Sequence, residues 1–406
     1  MTDERLLVVG SGLRVLREYA LAAMAGRAEV VLLSDEELTW QEPYVSGFRR
    51  VATIASEAIA ATAHDVGATG LVTYDEQLVE LVAVAAAVGG IAHTDAAAIR
   101  TCRDKYALRQ CLAAHDLSPV AYDLAQTPDE AVAQARQMGY PLVVKPRALG
   151  GSIGVVRVDD EQVLRAAFDV AASAEYLGVT SAHAGVLLEE YLDGPEFSVD
   201  CVTWKGVTVP LVVAEKRVGF APYFEEIGHL VPARPDPELD RAVDLVMAAH
   251  RAAGLDRLAT HTEVKLTPAG PRLIELNVRL GGDLVPYLGR LASGVDIAGA
   301  TADVALGREP DLTPSRSRAA AVSMVYPTRD LRLEHVGLSR APSTYRGLDR
   351  FDMIVEPGTD VRLPPRGFLS RIAAAVVSGA DRAECEANRL AVEADVVVTG
   401  TPLDAP

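Results

Sequence analysis

Two alternating segments joined by a short turn are the feature of this 406-residue sequence that most limits its fold. They lie in RLATHTEVKLTPAGPRLIELNVRL, with the turn at PAGP, residues 268–271. Alternation of apolar and polar residues sends the two sets to opposite faces of a strand. A turn centred near Ala269 therefore predicts an antiparallel hairpin in which Glu263 lies opposite Glu275 and His261 lies opposite Asn277.

One face of this hairpin is predicted to be polar and the other apolar. The polar face carries Glu263, Lys265, Glu275, Asn277 and Arg279, and the apolar face carries Val264, Leu266, Ile274, Leu276 and Val278. Two opposed carboxylates and an amide oxygen form an oxygen-rich set that suits Mg²⁺. A solvated face with scattered ion pairs is the alternative, but the Glu–Asn–Arg row followed by GGD favours the metal. Arg279 then lies where it can stabilise a transferring phosphoryl group.

A glycine-rich loop follows a short apolar strand in VVKPRALGGSIGVV. Lys145 ends the strand, and the loop consists of Gly150, Gly151, Ser152, Ile153 and Gly154. Glycines let backbone N–H groups approach phosphates, and Ser152 adds a hydroxyl. The loop lacks the GK[ST] ending of a Walker A motif, and taken alone a hairpin turn is an equal alternative. Combined with a magnesium face elsewhere, it favours a nucleotide phosphate.

The segment LLEEYLDGPEFSVD reads as two strands joined through a turn at Asp193 and Gly194. Such a segment, passing between two lobes, can offer backbone groups and a carboxylate to adenine. Glu196 can accept hydrogen bonds from ribose hydroxyls. On spacing alone, a solvated acidic turn is a fair competitor.

Strands alternate with helices through the first 100 residues, which predicts a parallel, doubly wound sheet. Gly10 and Gly12 follow the first strand, but Val15 takes the third glycine position of GxGxxG, so a tight turn is favoured over a nicotinamide site. Glu76 follows a later strand, at the edge where open sheets bind ligands. After residue 100 the pattern becomes α+β, beginning with one helix capped by Thr101.

Composition excludes some functions. The net charge of −17 argues against broad nucleic-acid binding. The four cysteines form no CxxC pair, which favours free thiols in a reducing cytoplasm. The N-terminus does not read as a signal peptide, and no apolar run is long enough for a membrane span. We therefore expect a cytoplasmic protein that binds neither nucleic acid nor membrane.

The order of these motifs resembles the ATP-grasp superfamily of carboxylate–amine ligases. The resemblance rests on Lys105, Lys145 with its glycine loop, EEYLDGPEFSV, Glu263 and ELNVR, and it spans about residues 100–310. It implies an ATP-grasp fold, combining α/β and α+β parts. The implied divisions are a Rossmann-like domain at 1–100, a small lobe at 101–185, and a large lobe with a C-terminal α+β subdomain at 186–406.

The resemblance also implies residue roles. Lys105 and Lys145 would hold the ATP phosphates beneath the loop. Glu189 would take the adenine amino group, Glu190 and Leu192 would give backbone contacts, and Glu196 would hold the ribose. Glu263, Glu275 and Asn277 would bind Mg²⁺ or Mn²⁺, and Arg279 would stabilise an acyl-phosphate intermediate.

Within the superfamily, APYFEEIGHLVPA and GGSIGVV are similar to segments of the L-amino acid ligases that make dipeptides. This likeness implies that Glu226 and His229 lie near the amino group of the first amino acid. Gly281 and Gly282 would let the backbone approach its carboxylate, and Glu76 is a further substrate-site candidate. The substrates would be an amino acid or related carboxylic acid and an amine, and the family leads us to expect a homodimer.

Three alternatives remain open from sequence. A lone histidine such as His229 is usually a satisfied core residue when no resemblance is considered. A bicarbonate-activating carboxylase would use the same ATP-grasp fold. A nucleotide-binding regulator without turnover, or a Rossmann oxidoreductase, is disfavoured by the intact Glu–Asn–Arg row and by Val15.

Overall fold

The computed structural model describes residues 4–176, 179–180 and 185–403, so the outermost residues of the first and last predicted domains lie outside it. A four-stranded parallel sheet, in the order β3–β2–β1–β4, confirms the doubly wound pattern expected from the first 100 residues. Gly10 and Gly12 have φ values of 72° and 63°, as the tight-turn reading requires. The elements are β1 (Arg5–Val9), α1 (Arg14–Ala25), β2 (Glu29–Ser34), β3 (Gly47–Arg50), α2 (Ser56–Val66), β4 (Gly70–Val72) and α3 (Val79–Gly89).

The single helix expected after residue 100 is two helices, α4 (Ala96–Arg103) and α5 (Lys105–Ala114). Thr101 lies inside α4, where its hydroxyl donates to the Ala97 carbonyl, so its predicted role as a cap was wrong. The cap is Asp104, whose carboxylate accepts the backbone N–H groups of Tyr106 and Ala107. Because Asp104 has an extended backbone, it ends α4 and starts α5, which sets the direction of Lys105.

A second, antiparallel sheet has the order β5–β10–β6–β7. The glycine loop connects β6 to β7, as predicted. Strand β10 pairs with both β5 and β6, so the predicted boundary between residues 185 and 186 cuts this sheet. A boundary in the connection 191–195 fits the sheet better. The elements are β5 (Tyr122–Ala125), α6 (Pro128–Met138), β6 (Leu142–Pro146), β7 (Val156–Val158), α7 (Glu161–Ala172), the short pair β8 (Glu175–Tyr176) and β9 (Val179–Thr180), and β10 (Val186–Glu190).

The largest sheet has eight strands in the order β15–β14–β11–β12–β13–β16–β20–β18. Helices α9 and α10 pack beneath it and share a core with the first sheet, in which Leu6, Leu284 and Leu288 are fully buried. The elements are β11 (Glu196–Trp204), β12 (Val207–Gly219), β13 (Glu225–Val231), α8 (Leu239–Ala252), β14 (Leu258–Thr267), β15 (Gly270–Asn277), α9 (Val285–Ser293), α10 (Ile297–Ala305), β16 (Ala319–Val325), β18 (Leu348–Met353) and β20 (Ala373–Gly379).

A three-stranded sheet, in the order β19–β17–β21, completes the C-terminal part. Its strands are β17 (Leu331–Leu338), β19 (Asp360–Val361) and β21 (Val396–Pro402), and α11 (Arg382–Glu393) packs on β20. Across the described residues, no helix combines the length and apolar character needed to cross a membrane. All four cysteines are unpaired, as expected.

The predicted hairpin is β14 and β15, and its register is confirmed. Glu263 pairs with Glu275, and His261 pairs with Asn277. A bulge after Glu263 then pairs Val264 with Leu273, so the predicted apolar face was wrong at one position. Leu273 is fully buried in the core, whereas Ile274 turns to line a cleft beside Glu275.

Candidate active site

Two clefts meet at the polar face of the hairpin. The first, about 700 Å³, lies between the second sheet and the largest sheet. The second, about 1090 Å³, lies between the first sheet and the largest sheet. Gly151, Glu226, Glu263 and Glu275 line both, so the two clefts adjoin at the position where we predicted a metal.

Each opposed carboxylate of the hairpin faces its own lysine. The Lys105 ammonium lies 2.9 Å from the Glu275 carboxylate, and the Lys216 ammonium lies 2.9 Å from that of Glu263. The Asn277 side chain is buried beside them, with its Oδ1 at 3.5 Å from Arg279 Nη2. The mutual repulsion expected of the two carboxylates is therefore relieved by cations from α5 and β12.

Lys216 was not found from sequence, yet it lies at the centre of the site. Its ammonium is fully buried and reaches Glu196 at 2.9 Å and Glu226 at 3.2 Å, in addition to Glu263. Burial opposes the charge of Lys216, but the three carboxylates outweigh it and raise its pKa well above the usual value. Burial likewise opposes charge on Glu263, but Lys216 outweighs it and lowers the pKa of that carboxyl to about 2.

Removing this cation by Lys216→Met is expected to lower the free energy of unfolding by about 3–5 kcal/mol at pH 7, because buried carboxylates lose their shared partner. The folded-state pKa of Glu263 is about 2, below its ordinary 4.5. The stabilisation is therefore complete above about pH 4.5 and is lost as pH falls toward 2. Urea unfolding at pH 7 and pH 3 measures this. Lys205→Met, at an exposed turn, is the control, and an equal deficit at both pH values would contradict the expectation.

The first cleft has a buried charge network at its base. The Glu189 carboxylate accepts hydrogen bonds from Arg109 at 2.7 and 3.0 Å and from Lys145 at 2.7 Å. Burial opposes charge on Glu189, but these cations outweigh it and hold its pKa at about 2. The Glu189 carboxylate thus fixes the position of Lys145, and its predicted contact with an adenine amino group stays a prediction.

The glycine loop folds over the junction of the clefts. Lys105 donates to the Leu149 carbonyl at its start. Gly151 and Gly154 have φ values of 67° and 73°, and a β-carbon at Gly154 would lie 2.6 Å from Ala174 and 3.0 Å from Pro146. A β-carbon at Gly151 would lie 3.0 Å from Leu369. Larger residues at these two positions would push the loop away from the clefts.

Arg279 is oriented by a carboxylate from the segment that follows β4. Its Nε lies 2.8 Å from Glu76 Oε2, and its Nη1 donates to the Leu280 carbonyl at 2.9 Å. Burial opposes the guanidinium charge, but Glu76 and Glu275 outweigh it and raise the pKa of Arg279. The structure thus places Glu76 beside Arg279, where the polar face of the hairpin ends.

A second group of carboxylates, Glu226 and Asp283, lines the second cleft beside His229. His229 Nε2 lies 3.3 Å from Glu226 and 3.5 Å from Asp283. Burial opposes charge on His229, but the Asp283 and Glu226 carboxylates outweigh it and raise its pKa. These three residues could hold a metal ion on distance alone. Lys216 already neutralises Glu226, and Arg371 already neutralises Asp283. A singly charged cation therefore fits between these carboxylates better than a divalent metal.

His261 faces the site, as the hairpin register predicted. Its Nδ1 lies 2.6 Å from Asp200 Oδ1, and its Nε2 lies 3.7 Å from Glu263. A β-carbon at Gly281 would lie 2.7 Å from Asp200 and 2.9 Å from His261. Because it lacks a side chain, Gly281 lets Asp200 and His261 pack against the backbone at this position.

Nearly all predicted site residues line one of the two clefts. Gly154 and Gly281 are the two predicted residues that do not, because they lie behind the lining. The first cleft contains Lys105, Lys145, Gly151, Ser152, Glu189, Glu190, Leu192, Glu196, Glu226, Glu263 and Glu275. The second contains Glu76, Gly150, Ile153, His229, Asn277, Arg279 and Gly282 together with the shared residues.

Residues 138–286 match the family model of the ATP-grasp domain. The chain has the same fold as an L-amino acid ligase from Bacillus licheniformis, with a TM-score of 0.83, 22% identity, and 98% of this chain and 99% of that one covered. A biotin carboxylase domain from Hydrogenobacter thermophilus shares the fold at a TM-score of 0.74 and 18% identity, over 98% of this chain and 91% of that one. Residues 138–286 therefore match an ATP-grasp domain, and the chain as a whole shares its fold with these two structures.

Two relatives with curated sequences align with only part of this chain and only part of their own length. An uncharacterised protein, y4rH, of Sinorhizobium fredii is 31% identical over 66% of this chain and 55% of the relative. Alanine–anticapsin ligase of Bacillus subtilis is 26% identical over 63% of this chain and 58% of the relative. The chain thus aligns with little more than half the length of these two relatives.

Proposed function

We propose that this protein is an ATP- and Mg²⁺-dependent ligase that joins the carboxylate of one amino acid to the amine of another. The position of Glu263 and Glu275, which line both clefts, carries the proposal. A nucleotide in the first cleft would present its terminal phosphate at the point where a carboxylate in the second cleft arrives. The names of the alanine–anticapsin ligase and L-amino acid ligase support this substrate class.

The residues of the first cleft fit ATP. Lys105 and Lys145 supply two cations near the glycine loop, and Glu190, Leu192 and Glu196 also line this cleft. The hairpin also fits Mg²⁺, since Glu263, Glu275 and Asn277 offer two carboxylates and an amide oxygen. A magnesium ion bound there would neutralise charge on the phosphate oxygens. Lys105 and Lys216 lie at these carboxylates in the structure, so a magnesium ion bound there would share the carboxylates with the two ammonium groups.

The reaction we propose has two steps. A carboxylate oxygen of the first amino acid forms a bond to the γ-phosphorus of ATP, and the bond to ADP breaks. The amine of the second amino acid then attacks the acyl carbon, the bond to phosphate breaks, and the amine loses a proton as the amide forms. Arg279, fixed by Glu76, would stabilise the negative charge of the acyl phosphate in both steps.

The carboxylates at Glu226 and Asp283 suit the ammonium group of the first amino acid. Both are buried and adjacent to His229. An ammonium is a small cation with three N–H donors, which matches a set of carboxylate oxygens. This arrangement would leave the carboxylate of the same substrate directed toward Arg279 and the hairpin.

Purified protein incubated with ATP, Mg²⁺ and pools of amino acids is expected to produce ADP and phosphate only when suitable amino acids are present. Measurement of ADP, AMP and phosphate together, with mass spectrometry of the products, checks this. Reactions without amino acids and reactions with bicarbonate alone are the controls. AMP with pyrophosphate would contradict the acyl-phosphate route, and ADP formation that depends on bicarbonate would favour the carboxylase alternative.

A further inference from the structure

Arg17, on α1, forms one corner of the second cleft. Its Nη1 donates to the Gly281 carbonyl at 3.0 Å, and its guanidinium carbon lies 5.3 Å from the centre of the Tyr74 ring. Tyr74 is itself almost fully buried. Arg17 is therefore held between the first sheet and the glycine pair that follows Arg279.

The charge environment of Arg17 differs from that of the other cations in this cleft. Arg279, Arg371, His229 and His261 each face a carboxylate, from Glu76, Asp283, Glu226 and Asp200 respectively. Within the described part of the chain, no carboxylate lies within 4 Å of the Arg17 guanidinium. Asp75 also lines this cleft, and it accepts the Gln77 backbone N–H instead.

Arg17 has spare capacity to bind an anion. A guanidinium carries five N–H donors; the Gly281 carbonyl accepts one, and the Tyr19 hydroxyl lies close to the same guanidinium, which leaves donors for a ligand. Its planar donors match a carboxylate in a bidentate arrangement. Gly12 and Leu13, at the start of α1, line the same wall, and the first turn of this helix contains no acidic residue. The N-terminal end of α1 therefore adds partial positive charge to this side of the cleft.

We propose that Arg17 binds the carboxylate of the second amino acid, so that the amine substrate is an amino acid rather than a simple amine. This inference rests on the proposed function. The carboxylate of the first amino acid is consumed by phosphorylation, which leaves that of the second as the free anion. In an α-amino acid the amine and the carboxylate carbon are two bonds of about 1.5 Å apart, so its receptor must lie beside the acyl group.

Arg17 lines the same cleft as Arg279, as this requirement demands. Its partner carbonyl, at Gly281, is two residues from Arg279, which we place at the acyl phosphate. The acidic pair Glu226 and Asp283 lines the same cleft beside His229, and we assign it to the first amino group. The cleft thus offers carboxylates for the amino end of the product and a guanidinium for its carboxyl end.

The test compares acceptors and variants. Wild type is screened with the twenty common amino acids, their carboxamides and the primary amines that lack the carboxylate, as partners of one fixed donor. KM and kcat for the best acceptor, the donor and ATP are then measured for Arg17→Gln and Arg17→Lys. Arg14→Gln is the matched control, because Arg14 is on the same helix but is exposed and paired with Glu18.

We expect wild type to prefer the amino acid over its carboxamide. Arg17→Gln should raise the KM of the acceptor amino acid about ten- to a hundredfold and remove that preference, with KM for ATP and for the donor little changed. Arg17→Lys should restore part of the affinity. Thermal unfolding reports whether each variant is folded, and the wild-type acceptor preference is a test that needs no variant.

Two results would overturn this inference while leaving the proposed ligase intact. These are equal use of the amino acid and its carboxamide by wild type, or an unchanged acceptor KM in a folded Arg17→Gln protein that still forms amides. Absence of amide formation by wild type with every acceptor would instead overturn the proposed function, and the role of Arg17 with it.

Discussion

Glu275→Ala is expected to reduce ATP-dependent amide formation by about a thousandfold. Glu275 faces Glu263 across the hairpin and lies at the junction of both clefts. Its loss removes one of two carboxylates from the proposed magnesium set and leaves the buried Lys105 ammonium without its carboxylate partner. Both effects change the charge around the phosphates. Rates of ADP and amide formation over a range of Mg²⁺ concentrations measure the loss.

The matched control is Glu334→Ala, which removes an exposed glutamate on β17 whose carboxylate accepts a hydrogen bond from Thr401. It should leave the rate unchanged. Thermal unfolding separates a loss of chemistry from a loss of structure in the Glu275 variant. Turnover at the wild-type rate by folded Glu275→Ala protein would remove the hairpin from the metal site, because its carboxylate would then have no part in the reaction.

The register of the hairpin was predictable because two local signals agree. Alternation fixes which residues share a face, and the length of the PAGP turn fixes which residues face each other. The same applies to the glycine loop, where strand, loop and strand follow in order. The bulge that turns Ile274 out of the core was not predictable, since an apolar residue at that position satisfies either arrangement.

Lys216 is a site residue that local sequence patterns do not predict. It is one lysine in the strand segment VVAEKRVG, and the three carboxylates that it contacts come from positions 196, 226 and 263. Only the pairing of β11, β12, β13 and β14 brings them together. The Arg109–Glu189 ion pair likewise joins residues that are 80 positions apart and meet only in the folded protein. Contacts between residues far apart in the chain have no regular spacing, so a single sequence does not reveal them.

The α4–α5 break did have a local signal. Asp104 is a favourable N-cap residue, and the two N–H groups that it accepts follow directly in the chain. Its importance for the site comes from the next residue, because Lys105 begins α5 and reaches both the glycine loop and Glu275. Reading the stretch as one helix would have placed that lysine on a different face.

Arg279→Ala is expected to lower kcat by about 10²- to 10³-fold while changing KM for ATP by less than about threefold. The reason is that Arg279 lies in the second cleft, where charge develops on the acyl phosphate, and does not line the first cleft, which we assign to the nucleotide. An interaction that strengthens only in the transition state affects kcat. Arg290→Ala, which removes an arginine on α9 away from both clefts, is the control.

A competing explanation for a loss of activity is that Glu76 becomes an unpaired buried carboxylate when Arg279 is removed. Arg103, which lies 3.5 Å from Glu76, would compensate for part of that charge. The double variant Arg279→Ala, Glu76→Gln separates the two explanations. If the guanidinium itself stabilises the acyl phosphate, the double variant stays as slow as Arg279→Ala. Recovery of kcat in the double variant would assign Arg279 to neutralising Glu76, and an unchanged kcat in the single variant would remove it from the chemistry.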